Sequence, residues 1–381
     1  MKLGELIEIK HGYAFSGEHI VEDDNGIVLV TPGNFRIGGG FKEEKCKFFD
    51  GEIPADYVLK EGDFIVTMTD LSKTIDTLGY SALVPKSKRT YLHNQRIGLV
   101  TFKSDECDRG YIYWLMRTRE YQRSIANTST GATVHHTSPK KIYDYDLEVP
   151  PLSTQHRIAS ILSRYDSLIE NYQKQIKLLE EAAQRLYKEW FIDLHFPGHE
   201  NTNIVDGLPE GWEKKKVGDI APIITGKKDA NFGTPDGEYP FFTCSQEPIK
   251  APSFSFDCAA VLLSGNGDFN VKLYRGKFEA YQRTYVLSPC CAQHLYLLYY
   301  TISANMTKLA AGSSGSTIKF LTKGMIDGIN LNVPNDEILE SFNKKVEPIQ
   351  SSRESLQYQL RLLTEARDRL LPKLMSGEIT V

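Results

Sequence analysis

Residues 151–191 read "PLSTQHRIASILSRYDSLIENYQKQIKLLEEAAQRLYKEWF" and place an apolar side chain at alternating steps of four and three residues. This heptad spacing is typical of a coiled-coil helix. The apolar seam consists of Ile158, Leu162, Tyr165, Ile169, Tyr172, Ile176, Leu179, Ala183, Leu186 and Trp190. At 1.5 Å per residue this seam is roughly 48 Å long. A helix of that length exposes an apolar stripe, so the spacing predicts a partner helix.

The C-terminal segment repeats the seam and is the expected partner. Adding 184 to each seam position gives Phe342, Val346, Ile349, Arg353, Leu356, Leu360, Leu363, Arg367, Leu370 and Leu374. The heptad frame is therefore kept, with basic interruptions at Arg353 and Arg367. Because proline has no amide donor, we expect the second helix to kink or begin near Pro348 and to end at Pro372.

The repeat extends beyond the two helices. At the offset of 184, residues 149–150 match 333–334 and residues 131–133 match 315–317. Gln95-Arg96 matches Gln282-Arg283 at an offset of 187, and residues 2–6 match 216–220 at an offset of 214. The flanks of each globular segment thus correspond while the interiors differ in length. The chain is predicted to be a duplicated pair, each half a variable globular domain followed by one helix.

The globular segments contain short β-rich runs punctuated by Gly or Pro, and each carries a later helical stretch, at 110–126 in the first and 292–310 in the second. The β-rich runs are "GIVLV", "DFIVTM", "RIGLVTF", "AAVLLS" and "RTYVLS". The expected fold class is α+β, with two pseudo-symmetric mixed α/β domains separated by two long antiparallel coiled-coil helices. The predicted division is 1–150, a globular domain; 151–195, the central helix; 196–336, a linker and a second globular domain; and 337–381, the C-terminal helix.

Composition is that of a soluble globular protein, with 381 residues, 41% hydrophobic and 25% charged. Neither a signal peptide nor a bilayer-spanning run is seen, so we expect a cytoplasmic protein without a membrane partner. The six cysteines show no disulfide or metal spacing, which favours reduced thiols. The net charge is −4, but residues 86–123 hold nine Lys or Arg against four Asp or Glu. Such a local basic face is suited to contact phosphates.

A search for catalytic motifs finds none. Residues 226–228 lack the hydroxyl residue and the earlier glycine of a phosphate-binding loop. The chain has no Asn/Asp-Pro-Pro-aromatic segment of a base methyltransferase. His135 and His136 are adjacent, so on a strand they point to opposite faces and are poorly placed to share a metal. Glu43 with Lys45 meets only a loose nuclease pattern. We expect neither a catalytic site nor a metal site.

Three segments carry a family resemblance by their order and spacing. They are "VPPLSTQHRIASIL" at 149–162, "LPEGWEKKKVGDI" at 208–220 and "LTEARDRLLPKLMSGEI" at 363–379. Together with "HNQR" at 93–96 and "TGATV" at 130–134, they make the chain resemble the DNA-specificity subunit of type I restriction-modification enzymes. The resemblance covers essentially the whole chain.

This resemblance implies a noncatalytic subunit whose two globular domains are target recognition domains. Each would read one half of a bipartite site in double-stranded DNA, while the antiparallel helices set the distance between the halves. Two methyltransferase subunits would dock on this chain, and restriction/translocase subunits would join through them. S-adenosylmethionine, ATP and Mg are then expected in the partner subunits, with no cofactor in this chain.

Two alternatives to this assignment stay open from sequence. One is the specificity subunit of a related system in which a single partner carries both methyltransferase and nuclease. The other is a coiled-coil protein scaffold, which the heptads alone would satisfy but which leaves the repeated flanks of the globular domains unexplained. An enzyme in its own right would require catalytic residues that the sequence does not show.

Candidate DNA-contacting residues are polar or basic side chains on loops, since these side chains read base edges and phosphates. In the first domain they are Asn34, Arg36, Thr69, Lys73, Thr133 and His135. In the second they are Lys227, Lys228, Ser245, Gln246, Asn266, Asn270, Lys272, Ser314 and Ser316. Both domains share Gln95, Arg96, Gln282 and Arg283, for which a structural or phosphate-positioning role is favoured over sequence reading.

Overall fold

The computed structural model describes residues 1–44, 46–103, 106–313 and 319–381. The chain divides into two compact units. Unit 1 contains residues 1–171 and 359–381, and unit 2 contains residues 172–358. Across the described ranges, no helix has both the length and the hydropathy that a membrane span requires.

Unit 1 is built on two sheets and a short strand pair. The first sheet has the order Ile7–His11, Ile97–Phe102, Phe64–Thr67, Ser81–Leu83, with antiparallel neighbours throughout. The second has the order Ile20–Val21, Lys47–Phe49, Ile27–Val30, Thr90–His93, Val58–Leu59. Thr69–Asp70 pairs with His135–His136. The β-rich runs predicted in this half are confirmed as strands.

Helices cover one side of unit 1, where Trp114 is fully buried. They are Leu3–Leu6, Arg109–Leu115, Arg119–Asn127 and Pro139–Tyr143. The single late helix expected at 110–126 is wrong, because the chain breaks into two helices there. The break lies before Thr118, whose hydroxyl oxygen accepts a hydrogen bond of 3.2 Å from the amide of Tyr121 and so caps the second helix.

Unit 2 has one larger sheet, with the order Ile223–Thr225, Thr284–Leu287, Phe256–Ser264, Val271–Ala280, Tyr239–Phe242, Ile249–Ala251. Two further strand pairs join Glu213–Lys216 to Asn330–Val333 and Ile204–Val205 to Leu208–Pro209. Its shorter helices are Val217–Ile220, Leu295–Ala311 and Lys323–Asp327. The mixed α+β class is therefore confirmed in both units.

The two long helices are Leu152–Tyr187, extended by a π-helical turn at Lys188–Ile192, and Asp336–Met375. The second helix does not begin near Pro348, and the end expected at Pro372 is wrong. The second helix runs through Pro348, where Val346 and Gln350 on either side are buried, so packing offsets the missing hydrogen bond. The carbonyl of Pro372 still accepts a helical hydrogen bond of 3.0 Å from the amide of Ser376.

The predicted seam faces inward along both long helices. Every seam residue in them is buried or half-buried, and none is exposed. In unit 1, Ile158 and Leu162 share a core with Leu371 and Leu374. The early residues of the first helix therefore meet the late residues of the second, and the two sections run antiparallel within this unit.

Contacts between the two long helices also give their relative direction within unit 2. The ring of Trp190 lies 5.9 Å from that of Phe342. Nearer the middle of each helix, Glu180 forms an ion pair with Arg353. As residue numbers rise in the first helix they fall in the second, so the pairing is antiparallel in this unit as well.

The duplication inferred from sequence is visible in matching helix contacts. In unit 1, a Cβ added to Gly4 would lie 2.5 Å from the Cβ of Tyr143. In unit 2, a Cβ on the matching Gly218 would lie 2.0 Å from Oδ1 of Asp327. Both glycines let the first short helix of a unit contact its late short helix, Pro139–Tyr143 or Lys323–Asp327. The repeated flanks therefore form the same local structure in each unit.

Candidate nucleic-acid interface

The Gln95-Arg96 pair forms an exposed turn between the strands Thr90–His93 and Ile97–Phe102. The amide of Gln95 donates a hydrogen bond of 2.9 Å to the carbonyl of Tyr13, which holds the turn against the first strand. Gly12 allows this approach, because a Cβ there would lie only 2.1 Å from the carbonyl oxygen of Asn94. The shared Gln-Arg pair of unit 1 is thus presented to solvent by a tightly fixed backbone.

Unit 2 builds the same turn from the matching residues. The amide of Gln282 donates a hydrogen bond of 2.9 Å to the carbonyl of Lys228, and Arg283 follows as an exposed side chain. A Cβ on Gly226 would lie 1.9 Å from the carbonyl oxygen of Ala280. The two units therefore share a close glycine contact beneath an exposed Gln-Arg turn.

Two further segments join this turn in unit 1. The carbonyl of Arg96 accepts a hydrogen bond of 2.9 Å from the amide of Met68, and the carbonyl of Met68 accepts one of 3.0 Å from the amide of Thr137. The loops at 69–77 and 130–136 therefore start or end beside the Gln-Arg turn. We call this arrangement, the turn with its two attached loops, the three-segment platform.

Unit 2 contains the same platform, held by the matching backbone hydrogen bonds. The carbonyl of Arg283 accepts a hydrogen bond of 2.8 Å from the amide of Gly265, and the carbonyl of Gly265 accepts one of 2.8 Å from the amide of Leu321. Asn266 then bridges to Phe320, just as Thr69 pairs with His136 in unit 1. The backbone framework is common to both units, whereas the side chains it presents differ.

A buried carboxylate shapes the 69–77 loop in unit 1. Asp70 is 1% exposed and accepts hydrogen bonds of 2.6 Å from the amide of Ser72 and of 2.6 Å from the amide of Thr77. Burial alone would raise the pKa of Asp70, but the hydrogen bonds from Thr77 and Ser72 hold it below its usual value. Lys73 is exposed on the loop that these bonds form.

The 130–136 loop lies directly beside it. His135 pairs with Asp70 and His136 with Thr69, whose hydroxyl lies 3.1 Å from Nδ1 of His136. Gly131 adopts φ +106°, and a Cβ there would lie 2.0 Å from the carbonyl oxygen of Val134. This conformation requires glycine and leaves Thr133 exposed at the tip of the loop.

In unit 2, Lys272 links the platform loop that carries Asn270 to a neighbouring loop that carries Cys244 and Ser245. Its Nζ donates a hydrogen bond of 2.8 Å to the carbonyl of Ser245 and another to Oδ1 of Asn270. Nδ2 of Asn270 donates in turn to the carbonyl of Cys244 at 3.1 Å. Burial lowers the pKa of Lys272 to about 8. The bonded loops expose Ser245 and Gln246, and the thiol of the preceding Cys244 donates a hydrogen bond of 3.6 Å to the carbonyl of Arg283 in the Gln-Arg turn.

Most of the candidates from sequence lie on these platforms, but Asn34 and Arg36 lie on another loop and Thr69 is buried within the platform. Asn34 is 1% exposed, and its amide group bonds the backbone of Thr31 and Lys42, so it stabilises its own loop. Thr69 is 3% exposed and bonds His136. Arg36 is exposed on a separate loop, where it donates to the carbonyl of Phe41 at 3.1 Å.

The candidate lysines of unit 2 adjoin its Gln-Arg turn, because the carbonyl of Lys228 accepts the hydrogen bond from Gln282. Lys227 is exposed and Lys228 is half-buried over the ring of Phe232, at 4.3 Å from its centroid. Ser314 and Ser316 lie outside the described residues, as does Lys45. Two further side chains, His136 on the platform and Tyr13 beside its turn, are exposed in unit 1 and are not among the candidates predicted from sequence. Position is the available signal, because His136 directly follows the candidate His135 and Tyr13 follows Gly12, which matches Gly226 at the offset of 214.

Within the described ranges, the structure shows no cluster of three or more His, Cys, Asp or Glu side chains arranged to hold a metal ion. What both platforms do present is a fixed backbone, an exposed Gln-Arg pair and polar loop side chains. This combination suits contact with phosphates through arginine and with base edges through the loops.

Comparison with known proteins identifies relatives. Residues 1–181 and 209–353 match the type I restriction modification DNA specificity domain. The type I restriction enzyme EcoDI specificity subunit of Escherichia coli is 37% identical over 177 residues, covering 45% of this chain and 40% of that subunit. The MjaIX specificity subunit of Methanocaldococcus jannaschii is 26% identical over 302 residues, covering 71% and 69%. The chain thus spans well under half of the EcoDI subunit in that match.

A solved structure shares the fold. The crystal structure of a type I restriction-modification S subunit from M. genitalium superimposes with a TM-score of 0.62 at 16% sequence identity. The superposition covers 98% of this chain and 95% of that one. The likeness therefore extends over both units and both long helices.

Proposed function

Because the chain belongs to the type I restriction modification DNA specificity family, we propose that it is a sequence-specific DNA-binding subunit that recognises a bipartite site, one half with each unit. The observation that carries the proposal is the pair of three-segment platforms. Both are built by the same hydrogen-bond chain, through Met68 in unit 1 and Gly265 in unit 2. Their loops present different side chains, as two different half-sites require.

We assign different roles in DNA recognition to the shared turns and to the differing loops of the two platforms. Arg96 and Arg283 are exposed on turns that both units possess, so they carry no information that distinguishes one half-site from the other. We assign them to phosphates, which position a protein on the duplex. The differing loops, with Thr133 in unit 1 and Gln246 in unit 2, are assigned to base edges.

The two long helices act as the spacer between the half-sites. Their seam side chains are buried or half-buried in each unit, as a packed helix pair requires. B-DNA advances about 34 to 36 Å per turn, so a helix seam of roughly 48 Å is long enough to span more than one turn. Changing the helix length by a few residues is expected to change the number of unread base pairs.

The chain itself is noncatalytic in this proposal and acts by placing other subunits. Two methyltransferase subunits dock on it in the cytoplasm, supply S-adenosylmethionine and modify an adenine in each half-site. Restriction/translocase subunits join through them and use ATP and Mg. The support is membership in the DNA specificity family.

The test of DNA recognition is a selection experiment. The full chain is incubated with a library of random-sequence DNA duplexes, and the bound duplexes are recovered and sequenced. The proposal expects one split motif with two short defined halves and an undefined gap of fixed length. Recovery of duplexes without any common motif would overturn it and favour the coiled-coil scaffold.

A further inference from the structure

In unit 1, an arginine from the globular part is bonded to the first long helix. Arg117 is 4% exposed and forms an ion pair with Asp166 of that helix. Nη1 of Arg117 also donates to the hydroxyl of Tyr113 at 2.9 Å, and Nε donates to the carbonyl of Gly38 at 2.9 Å. The guanidinium lies 4.2 Å from the ring centroid of Trp114. One side chain thus joins a loop, a short helix and a long helix.

The loop that Arg117 contacts has a glycine backbone that packs closely against the arginine side chain. Gly38, Gly39 and Gly40 have successive φ values of +84°, +81° and +92°. A Cβ on Gly39 would lie 2.5 Å from Cγ of Arg117. Left-handed backbone is readily adopted only by glycine, so the loop keeps its shape where the arginine passes. Arg36, a candidate DNA contact, lies on this same loop.

In unit 2, an equivalent bond joins the sheet to the second long helix. Nη1 of Arg275 donates to Oε1 of Glu347 at 3.0 Å and Nη2 donates to Oε2 at 3.2 Å. The hydroxyl of Tyr296 donates to Oε2 of Glu347 at 2.5 Å, and the guanidinium lies 5.1 Å from the ring centroid of Tyr296. Arg275 belongs to the strand Val271–Ala280, which also carries Lys272 of the platform.

Both groups therefore contain an arginine of the globular part, a tyrosine and a carboxylate of a long helix. We call them the Arg117 clamp and the Arg275 clamp. Apolar packing between each globular part and its helix is extensive but non-directional. A paired guanidinium and carboxylate has defined angles, so each clamp fixes the orientation of a globular part on its own stretch of helix.

We propose that the Arg117 and Arg275 clamps are positioning elements that set the gap between the two half-sites of the DNA. The inference rests on the proposed function, because a gap exists only if both units bind DNA. Helix length gives the gap its coarse value. The clamps restrict each platform to one angle on its helix, so that neighbouring gap lengths are rejected.

The test uses the selection from random-sequence duplexes with variants of the full chain. The Arg275 clamp is the first target because its side chains are 40% and 49% exposed, so the fold tolerates their replacement. Arg275→Lys removes the bidentate contact, and Glu347→Gln removes the charge on the helix. Each is expected to keep both half-site sequences while the preference for the main gap over a gap one base pair longer or shorter falls about tenfold.

Matched controls separate positioning from general effects of charge. Glu340 pairs with Lys344 within the second long helix, so Glu340→Gln removes a helix carboxylate without touching a clamp. It is expected to keep the wild-type gap. The double exchange Arg275→Glu with Glu347→Arg restores an opposite pair and is expected to restore most of the gap preference. Arg117→Lys then probes the more buried clamp of unit 1.

The outcomes distinguish the two proposals. A single gap for wild type with a broadened gap for the clamp variants supports the inference. If the clamp variants select the same single gap as wild type, the inference is overturned while bipartite recognition stands. Absence of a split motif for wild type overturns the proposed function and the inference with it.

Discussion

Arg367 Nη1 donates a hydrogen bond of 2.6 Å to Oδ1 of Asp166, joining the second long helix to the first within unit 1. The other oxygen of Asp166 pairs with Arg117, so one carboxylate bridges two largely buried guanidinium groups, and Arg367 also pairs with Asp368. In unit 2 the second basic seam residue, Arg353, pairs with Glu180 in the same way. The two basic interruptions of the heptad seam are therefore ion-paired across the helices, and the seam is continuous.

Removing the shared carboxylate is predicted to destabilise unit 1 strongly. Asp166→Asn removes the ion-pair partner of Arg117 and leaves Arg367 with its neighbour Asp368, and because the site is partly open to solvent we expect a loss of about 2–4 kcal/mol in unfolding free energy. Urea unfolding followed by circular dichroism measures it. Glu181→Gln is the control, since among the described residues Glu181 forms an ion pair only with Lys177 of its own helix, and this substitution should cost less than about 0.5 kcal/mol. Equal losses for the two variants would contradict the interpretation.

The glycine beneath the Gln-Arg turn is predicted to be essential for the platform. Gly12→Ala places a Cβ 2.1 Å from the carbonyl oxygen of Asn94, so the turn carrying Gln95 and Arg96 has to move. We expect lower thermal stability and at least tenfold weaker binding to the selected DNA site. Gly17→Ala is the matched control, because no atom lies within 4 Å of its added Cβ and its φ is not in the left-handed region. Unchanged DNA binding by Gly12→Ala would show that the turn is not part of the interface.

Lys272 is predicted to give stability a specific pH dependence. Its pKa is about 8 in the folded protein, against about 10.4 in an unfolded chain. Between these values the unfolded chain binds more protons, so the contribution of Lys272 to unfolding free energy rises as pH increases from about 8 to about 10.4. Below about 8 the contribution is constant. Subtracting the stability curve of Lys272→Met from that of wild type should show this rise, and a flat difference would contradict the burial of the ammonium group.

Substitutions of the shared arginines and of the differing loops are predicted to change DNA binding in different ways. Arg96→Met or Arg283→Met should weaken binding to all DNA sequences alike and reduce the slope of log K against log salt by about one. Gln246→Ala should instead relax preference at one position of the unit 2 half-site, by about 1–3 kcal/mol. Fluorescence anisotropy with the selected duplex and single-base variants separates the two patterns. A change of base preference with Arg96→Met would reverse the assignment.

The seam and the duplication could be predicted from sequence because both are periodic signals. Ile158 and Trp190, at the two ends of the first seam, are buried as the heptads require. Local breaks were harder to predict. Pro348 sits inside a continuous helix because buried neighbours outweigh one missing hydrogen bond, and Thr118 divides an expected helix by capping its second half. Each outcome depends on tertiary packing or on a single side-chain bond, which periodicity does not contain.

The candidate interface was predictable in its framework and less so in its side chains. The repeat marked Gln95-Arg96 and Gln282-Arg283, and the structure presents all four on matching turns. Composition also selected Asn34, a polar residue of a loop, yet its amide is used within the protein. Whether a loop amide faces solvent or its own backbone is decided by loop geometry, which residue type alone does not fix. The choice of individual DNA contacts stays a prediction.

The most direct test of bipartite recognition is the methylation pattern of a genome. Cells expressing this chain with its methyltransferase partner are compared with cells expressing the partner alone, by sequencing that detects N6-methyladenine. We expect a new set of methylated adenines on one split motif with a fixed gap, present only with this chain. An identical methylation pattern in both cells, with an active methyltransferase, would contradict the assignment of this chain as the subunit that selects the DNA site.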